Sequence, residues 1–206
     1  MDLFEGAITG AAFASGDAVV AGTWARSPFG QFIDVMWRRP DGTRILLAPS
    51  HEVAIYVSGL YSFDEMEVVP IHGGIRDAQI SVWAGPLEFH AHLAPRDWRS
   101  WLFGLRPRSL RRSPWWISLE DRLARPFVGT LLGGGAGVRA AGTAPGGQQE
   151  YYGADDWRRI TGASLMVHGA PAGDLADFPA NFGVGLSAFP TIPSSVRVGT
   201  LIRSKG

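Results

Sequence analysis

The alternation of apolar and polar residues between Leu87 and Leu93 constrains the fold of this chain more than any other sequence feature. Apolar residues occupy every second position there, which is the period of a β-strand with one buried face. Similar short segments recur at 32–38, 44–48, 66–71, 78–84, 138–144, 148–153, 160–168 and 196–202. Turns rich in proline and glycine separate many of them, for example at 39–42. We therefore predict a mainly β (α+β) fold, built as an antiparallel β-barrel or sandwich.

Two stretches have helical spacing instead. Ser50 is a predicted N-cap, and the apolar residues that follow it predict a short helix near residues 50–61. The sequence also predicts a helical pair near residues 96–125, with one helix ended by Pro107 and a second that starts at Pro114 and is ended by Pro126. The two apolar stripes of this pair are Trp98, Trp101, Leu102 and Leu105, then Trp116, Leu119 and Leu123. Such stripes indicate packing into a core.

Composition limits the class of protein. The chain has 206 residues, of which 46% are hydrophobic, so we expect one globular domain over residues 1–206. The absence of cysteine excludes disulfides and thiolate metal sites, and the net charge of zero argues against a nucleic-acid partner. The N-terminal sequence lacks the pattern of a secretory signal, and no apolar run is long enough for a transmembrane segment. We expect a cytoplasmic protein.

The segment from 96 to 125 is the strongest anomaly of composition. It holds eight arginines and three acidic residues, an excess of five positive charges in a chain of zero net charge. Arginine with tryptophan suits an interfacial helix or an anionic ligand. The alternative is a helical pair whose arginines form only its solvated face.

One predicted strand carries candidate metal ligands. Glu88, His90 and His92 are two residues apart, so their side chains project from the same face of the strand. Carboxylate and imidazole groups together are suitable ligands for a transition metal. The alternative is an ordinary solvated strand face.

A polar and aromatic cluster lies at 149–156. Its candidate ligand-binding residues are Glu150, Tyr151, Tyr152 and Asp155. A turn between two strands explains the cluster without a function. A site at a barrel mouth is the alternative, where Glu150 or Asp155 acts as a base and a tyrosine as a hydrogen-bond donor.

Two resemblances include this cluster. The combination of Ser27-Pro28-Phe29-Gly30, Pro40-Asp41-Gly42, the stretch 142–156, and Phe182-Gly183 before Pro190-x-x-Pro193 resembles a family of uncharacterised bacterial proteins, mainly from high-GC organisms. That resemblance covers most of the chain and implies no activity. Glu150-Tyr151-Tyr152-Gly153 is similar to the Glu-x-x-Gly turn of the acetoacetate decarboxylase family. This second resemblance implies a β-barrel-like fold with a central ligand funnel.

The same resemblance argues against shared catalysis. In the acetoacetate decarboxylase family the turn continues into a proline and the lysine that forms the Schiff base, whereas Ala154 and Asp155 occupy those places here. Covalent decarboxylation needs an amine nucleophile, and Lys205 is the only lysine of the chain. The resemblance therefore implies a fold without that activity.

Three functional hypotheses remain. The first is a non-catalytic domain that binds a small organic molecule, anionic ones included, in an aromatic-lined cavity and needs no cofactor. The second is a metal-dependent enzyme that uses Glu88, His90 and His92. The third is an interaction module that binds an anionic surface or a partner through residues 96–125. The sequence does not decide whether the chain is an enzyme, although it lacks recognisable catalytic motifs, and it leaves a homo-oligomer open.

Overall fold

The computed structural model describes residues 1–104, 107, 110–132, 139–179, 182–185 and 187–203, with backbone alone from 124 to 132. The strands are β1 (Asp2–Phe13), β2 (Ala18–Arg26), β3 (Phe32–Arg38), β4 (Arg44–Ala48), β5 (Glu65–Val68), β6 (Ile71–Arg76), β7 (Gln79–Ala84), β8 (Leu87–Leu93), β9 (Ala141–Thr143), β10 (Gln149–Val167), β11 (Ala170–Pro171), β12 (Leu175–Ala176) and β13 (Ser194–Arg203). The helices are α1 (His51–Leu60), α2 (Trp98–Gly104) and α3 (Pro114–Leu132). Lys205 and Leu105 lie outside the described residues.

All the strands belong to one curled sheet. Ten of them follow the order β5-β4-β3-β2-β1-β13-β10-β8-β7-β6, with β9 and β11 paired to β10 and β12 paired to β1. The pairs are antiparallel except β4 with β5, which is parallel. The long strand β10 joins the two halves of the sheet, because it pairs with β13 at one end and with β8 at the other. The mainly β prediction is confirmed, in the form of a half-barrel with three short helices.

Alternating burial gives the sheet two covered faces. Along β2 and β3 the odd-numbered residues Val19 and Val35 pack in a core with Phe89 of β8, on the concave side of the curl. The even-numbered Val20 and Met36 point the other way and contact an apolar layer that includes Phe178 and other residues of the 178–189 segment. Helix α1 covers a neighbouring part of that second face. Strands buried on both faces explain why β1, β2 and β4 are apolar almost throughout.

Local sequence signals place the short helix and the first hairpin. The Ser50 hydroxyl accepts a hydrogen bond from the backbone N–H of Val53 at 3.3 Å, which is an N-cap, so the predicted helix near 50–61 is confirmed. In the hairpin between β3 and β4, the Gly42 N–H donates to the Arg39 carbonyl at 2.9 Å. Gly42 has a φ of 92°, a conformation that glycine adopts without a side-chain clash.

Three expectations differ from the structure. The predicted turn at 149–156 is wrong, because β10 continues through these residues with an irregularity between Ala154 and Asp156. A bulge bends a strand without ending it, and β10 continues its pairing with β13 as far as Arg159 before it pairs with β8 from Ile160. Helix α3 starts at Pro114 as expected, but it does not end at Pro126 and runs to Leu132. A proline removes one backbone hydrogen bond of a helix, and the helix continues beyond it here.

The third difference concerns the tryptophan stripes of α2 and α3. Core packing was expected, yet the stripe residues Trp101, Leu123 and Trp98 are 73%, 66% and 53% exposed, Leu102 and Leu119 are also exposed, and Trp116 is half-buried. Helical spacing reports that apolar residues share a face, but it does not identify what covers that face. Among the described helices, none has the length and apolar character needed to cross a membrane.

Candidate functional site

The second face of the sheet borders a cavity of about 630 Å³. Its sheet wall is formed by Ile8 of β1, Val20 of β2, Met36 of β3, Tyr152 and Ala154 of β10, and Val196 and Val198 of β13. Its outer wall consists of side chains from α2, α3 and the 182–190 segment, among them Trp98, Leu102, Leu123, Phe182 and Phe189. Trp98, Leu102 and Leu123, which line the cavity from α2 and α3, all retain exposed surface.

A triangle of polar groups interrupts this apolar lining. The Tyr61 hydroxyl donates to Glu150 Oε1 at 2.8 Å, and the Tyr152 hydroxyl donates to Glu150 Oε2 at 2.9 Å. The two hydroxyl oxygens are themselves 3.0 Å apart. Both tyrosines line the cavity, and Glu150 adjoins it through them. Tyr61 follows α1 directly and is held by a hydrogen bond from its N–H to the Val57 carbonyl.

Burial controls the ionisation of this triangle. Glu150 has no exposed surface, and burial raises the pKa of its carboxyl above the ordinary value although two tyrosines donate to it. The pKa of each tyrosine is raised well above 10, first because its hydroxyl is buried and then because it lies beside Glu150. Both tyrosines therefore keep their protons in the neutral pH range.

A second buried carboxyl group lies next to the triangle. Asp34 of β3 borders a small adjoining cavity of about 50 Å³ that shares Tyr61, Ile8, Val20 and Met36 with the large one. Burial raises the pKa of Asp34 to about 7, against the opposing effect of a 2.8 Å hydrogen bond from the Trp24 indole N–H. Among the ion pairs of the described residues, none includes Asp34 or Glu150.

The remaining charged residues that line the large cavity come from its outer wall. They are Arg99, Arg139, Glu120 and Asp121, two of each sign. Arg99 donates to Asp97 at 3.1 Å, and its guanidinium lies over the rings of Trp98 and Trp157. Asp121 accepts a hydrogen bond from the Ala140 N–H, and Glu120 accepts one from the Trp116 indole. The outer wall therefore carries balanced charge.

The structure brings together two of the four residues predicted to bind a ligand. Glu150 and Tyr152 meet at the triangle, whereas Tyr151, between them, projects from the opposite face of β10. Asp155 lies at the irregularity of β10, where Arg112 binds both of its carboxylate oxygens. Arg112 also donates to the Gly153 carbonyl, so Asp155 anchors the segment before α3 to the sheet.

The predicted metal ligands lie on another strand, away from this cavity. Glu88, His90 and His92 share one face of β8, as expected. His90 uses Nε2 to contact Glu88 Oε1 at 2.9 Å and Nδ1 to contact Ser81 Oγ at 3.0 Å, while His92 is exposed. A search of the described part of the chain finds no group of three His, Asp or Glu side chains that could hold a metal ion. The metal site stays a prediction.

Sequence reasoning missed Tyr61 and the part of the outer wall that the 182–190 segment forms. Tyr61 and Glu150 are 89 positions apart, and no local pattern joins the end of α1 to β10. Phe182, Val184 and Phe189 lie in no helix or strand, and neither do the other described residues from 182 to 190, so periodicity gives no signal for them. For Tyr152 the sequence offers one signal. It alternates with Glu150, and this alternation places both side chains on one face of a strand.

Comparisons with known proteins give a limited result. No family model matches the chain, and no curated protein matches it. Among solved structures, the chain is similar to acetoacetate decarboxylase from Legionella pneumophila subsp. pneumophila str. Philadelphia 1, at 10% identity and a TM-score of 0.40, over 100% of this chain and 83% of that one. A similarity of this size assigns no activity and no residue roles to this chain. The resemblance to high-GC bacterial proteins receives no support from these comparisons.

Proposed function

We propose that this chain is a non-catalytic domain that binds a small, mainly apolar organic molecule in the cavity between the sheet and helices α2 and α3. The observation that supports this proposal is the cavity. Its volume of about 630 Å³ falls in the range of sites for small molecules, roughly 300–1,000 Å³. Its walls are apolar apart from the tyrosine triangle and the charged residues of the outer wall. Each methylene group that enters such a cavity contributes about 0.8 kcal/mol of transfer free energy.

The proposal is tested by filling the cavity from the sheet wall. Val196 of β13 lines the cavity, so Val196→Trp places an indole where the ligand would lie. Octan-1-ol, titrated by isothermal calorimetry, is expected to bind the unmodified protein and to lose about tenfold or more in affinity for Val196→Trp, equivalent to about 1.4 kcal/mol.

The matched control is Val68→Trp. Val68 is an exposed residue of β5 and lines neither cavity, so this variant is expected to bind octan-1-ol like the unmodified protein. Equal losses of affinity for octan-1-ol in the two variants would show that the introduced tryptophan disturbs the fold and does not block the cavity. Unchanged binding in Val196→Trp would refute the proposed site.

A second function is favoured by the exposed indoles of α2 and α3. Trp101 and Trp115 present large apolar surfaces to solvent, as residues of a contact surface do. The charge contribution is smaller than the sequence suggests. Arg96 pairs with Asp156 and Arg112 with Asp155, two carboxylates outside the segment, so two of its five excess positive charges are compensated.

This second function is tested by vesicle flotation. An anionic membrane partner predicts that the protein floats with phosphatidylglycerol-containing vesicles and that the Trp101→Ala, Trp115→Ala double variant does not. Protein that stays in the dense fraction with every vesicle composition would exclude a membrane partner.

A further inference from the structure

The number of protons that the Glu150–Tyr61–Tyr152 triangle holds limits the chemical class of ligand that it can bind. Three oxygen–oxygen contacts of 2.8, 2.9 and 3.0 Å form the triangle, and each hydrogen bond needs one proton. With Glu150 ionised, the two hydroxyls supply two protons, and both go to the carboxylate. With Glu150 protonated, three protons satisfy all three contacts. The neutral form is therefore the one in which every contact is a hydrogen bond.

In both protonation states the triangle keeps no free donor. Each tyrosine has a single O–H, which is already directed to Glu150 or to the other tyrosine, while each phenolic oxygen retains lone pairs. At the tyrosine end of the cavity, a carboxylate, phosphate or ketone obtains a donor from the triangle only by breaking one of its bonds. A ligand with N–H or O–H groups finds acceptors at Tyr61 and Tyr152 without breaking any bond.

The charges around the cavity favour a cationic donor over a neutral one. Glu150 and Asp34 adjoin Tyr61, and neither forms an ion pair within the described ranges. Tyr56, whose hydroxyl donates to Asp2 at 2.8 Å, lines the small adjoining cavity together with Asp34 and Tyr61. The arginines that line the cavity, Arg99 and Arg139, are matched on the outer wall by Glu120 and Asp121. On the sheet side of the tyrosines, the charged groups that these contacts place in the described part of the chain are the carboxyls of Glu150 and Asp34.

We infer that the tyrosine end of the cavity binds the protonated amine of a ligand whose remaining part is apolar. This inference rests on the proposed function, since the same cavity holds the apolar part. The ammonium group donates to the hydroxyl oxygens of Tyr61 and Tyr152, and Glu150 ionises as the counter-charge. The proton that Glu150 loses leaves to solvent, so binding of the amine releases protons from the protein below the raised pKa of Glu150.

The inference is tested with three probes of equal chain length, namely octylamine, octan-1-ol and octanoate. Calorimetric titration at neutral pH is expected to give about tenfold tighter binding for octylamine than for octan-1-ol, because a hydrogen bond with an ionised partner is stronger than a neutral one. Octanoate is expected to bind most weakly. The affinity for octylamine should rise with pH as Glu150 ionises and then level off, whereas the affinity for octan-1-ol should not change.

Glu150→Gln separates the charge from the shape of the site. Glutamine has one oxygen acceptor and an N–H donor, so it reproduces the three-proton triangle of neutral Glu150 and should fold. This variant is expected to lose the preference for octylamine over octan-1-ol and the release of protons that accompanies octylamine binding. Glu88→Gln, the same change on the exposed face of β8, is the control and should alter neither probe.

The possible outcomes distinguish the two proposals. If octan-1-ol and octanoate bind while octylamine has no advantage, the amine inference is overturned and the binding cavity stands. If octylamine is preferred equally in Glu150→Gln, the counter-charge is not Glu150 and the inference is likewise overturned. If none of the three probes binds, both proposals fail.

Discussion

Strands β8 and β10 carry similar polar patterns and use them in opposite ways. On β8, Glu88, His90 and His92 alternate with a buried face and project toward solvent. On β10, Glu150 and Tyr152 also stand two residues apart, but they project under α2, α3 and the 182–190 segment, where Glu150 is fully buried. The comparison teaches that strand periodicity identifies a shared face, while the elements that cover that face determine its chemistry.

The same burial separates the carboxyl groups of the two regions. Glu150 and the neighbouring Asp34 both have raised pKa values because burial disfavours the charged form. The exposed pattern on β8 has a solvated glutamate that contacts His90 at 2.9 Å. The ionisation of a buried carboxyl without a cationic partner makes the stability of the protein depend on pH, and it responds to the charge of a ligand. The pattern on β10 is therefore the better candidate for a functional site.

The largest expected effect is a loss of stability as the pH rises. Unfolded Asp34 ionises near its ordinary pKa of 3.8, whereas folded Asp34 keeps its proton up to about 7, so the folded state binds more protons across this window. The free energy of unfolding should fall by up to about 4 kcal/mol between pH 4 and pH 7 from this group. Urea unfolding of Asp34→Asn should show a correspondingly shallower pH dependence; identical curves for the two proteins would contradict the account.

The next effect compares the same substitution on the two strands. Glu150→Ala leaves two buried tyrosine hydroxyls without their shared acceptor, and it should lower the free energy of unfolding by about 3 kcal/mol. Glu88→Ala acts on a partly exposed side chain and should cost about 0.5 kcal/mol. Chemical denaturation of both variants measures the difference, and equal values would remove the distinction between the strands.

A smaller effect is expected when Tyr61, which follows α1, is compared with Tyr151 of β10. Tyr61→Phe removes the hydroxyl that contacts both Glu150 and Tyr152, with an expected loss of about 1.5 kcal/mol. Tyr151→Phe changes the opposite face of β10 and should lie within about 0.5 kcal/mol of the unmodified protein. Thermal unfolding of both variants at one pH measures the two losses of stability. A greater loss for Tyr151→Phe than for Tyr61→Phe would contradict the assignment of the stabilising hydrogen bonds to Tyr61.

The smallest effect concerns metal binding at Glu88, His90 and His92 on β8. His90 already contacts Ser81 and Glu88 through its two ring nitrogens, so zinc must displace one of these contacts. We expect zinc ions to raise the melting temperature by about 1 °C or less, equally in the protein and in the His90→Ala, His92→Ala double variant. A large rise in the unmodified protein that the double variant lacks would establish the metal site.

Much of the fold follows from the sequence, and less of the site does. Ser50 with its helical spacing, the hairpin glycine Gly42 and the alternation from Leu87 to Leu93 each act locally, and each appears in the structure as predicted. Tyr61 meets Glu150 only through the packing of α1 on the sheet, a contact between distant parts of the chain that no local pattern encodes.

The cover over the cavity was the hardest part to predict. The tryptophan stripes of α2 and α3 have the spacing of a core, but the structure leaves them standing over an apolar cavity with much of their surface exposed. The continuous β10 was predicted as two strands with a turn, because a bulge near Asp155 and a turn share the same polar residues. Both errors arise where tertiary packing overrides local propensity.

The most direct measurement is a crystal structure of the protein soaked with a bromine-tagged octanol, with the bromine located by its anomalous signal. We expect one bromine peak between the sheet wall at Ile8 and Val196 and the outer wall at Phe182 and Phe189. A bromine peak elsewhere on the protein, with none in this cavity at a saturating concentration, would contradict the central claim.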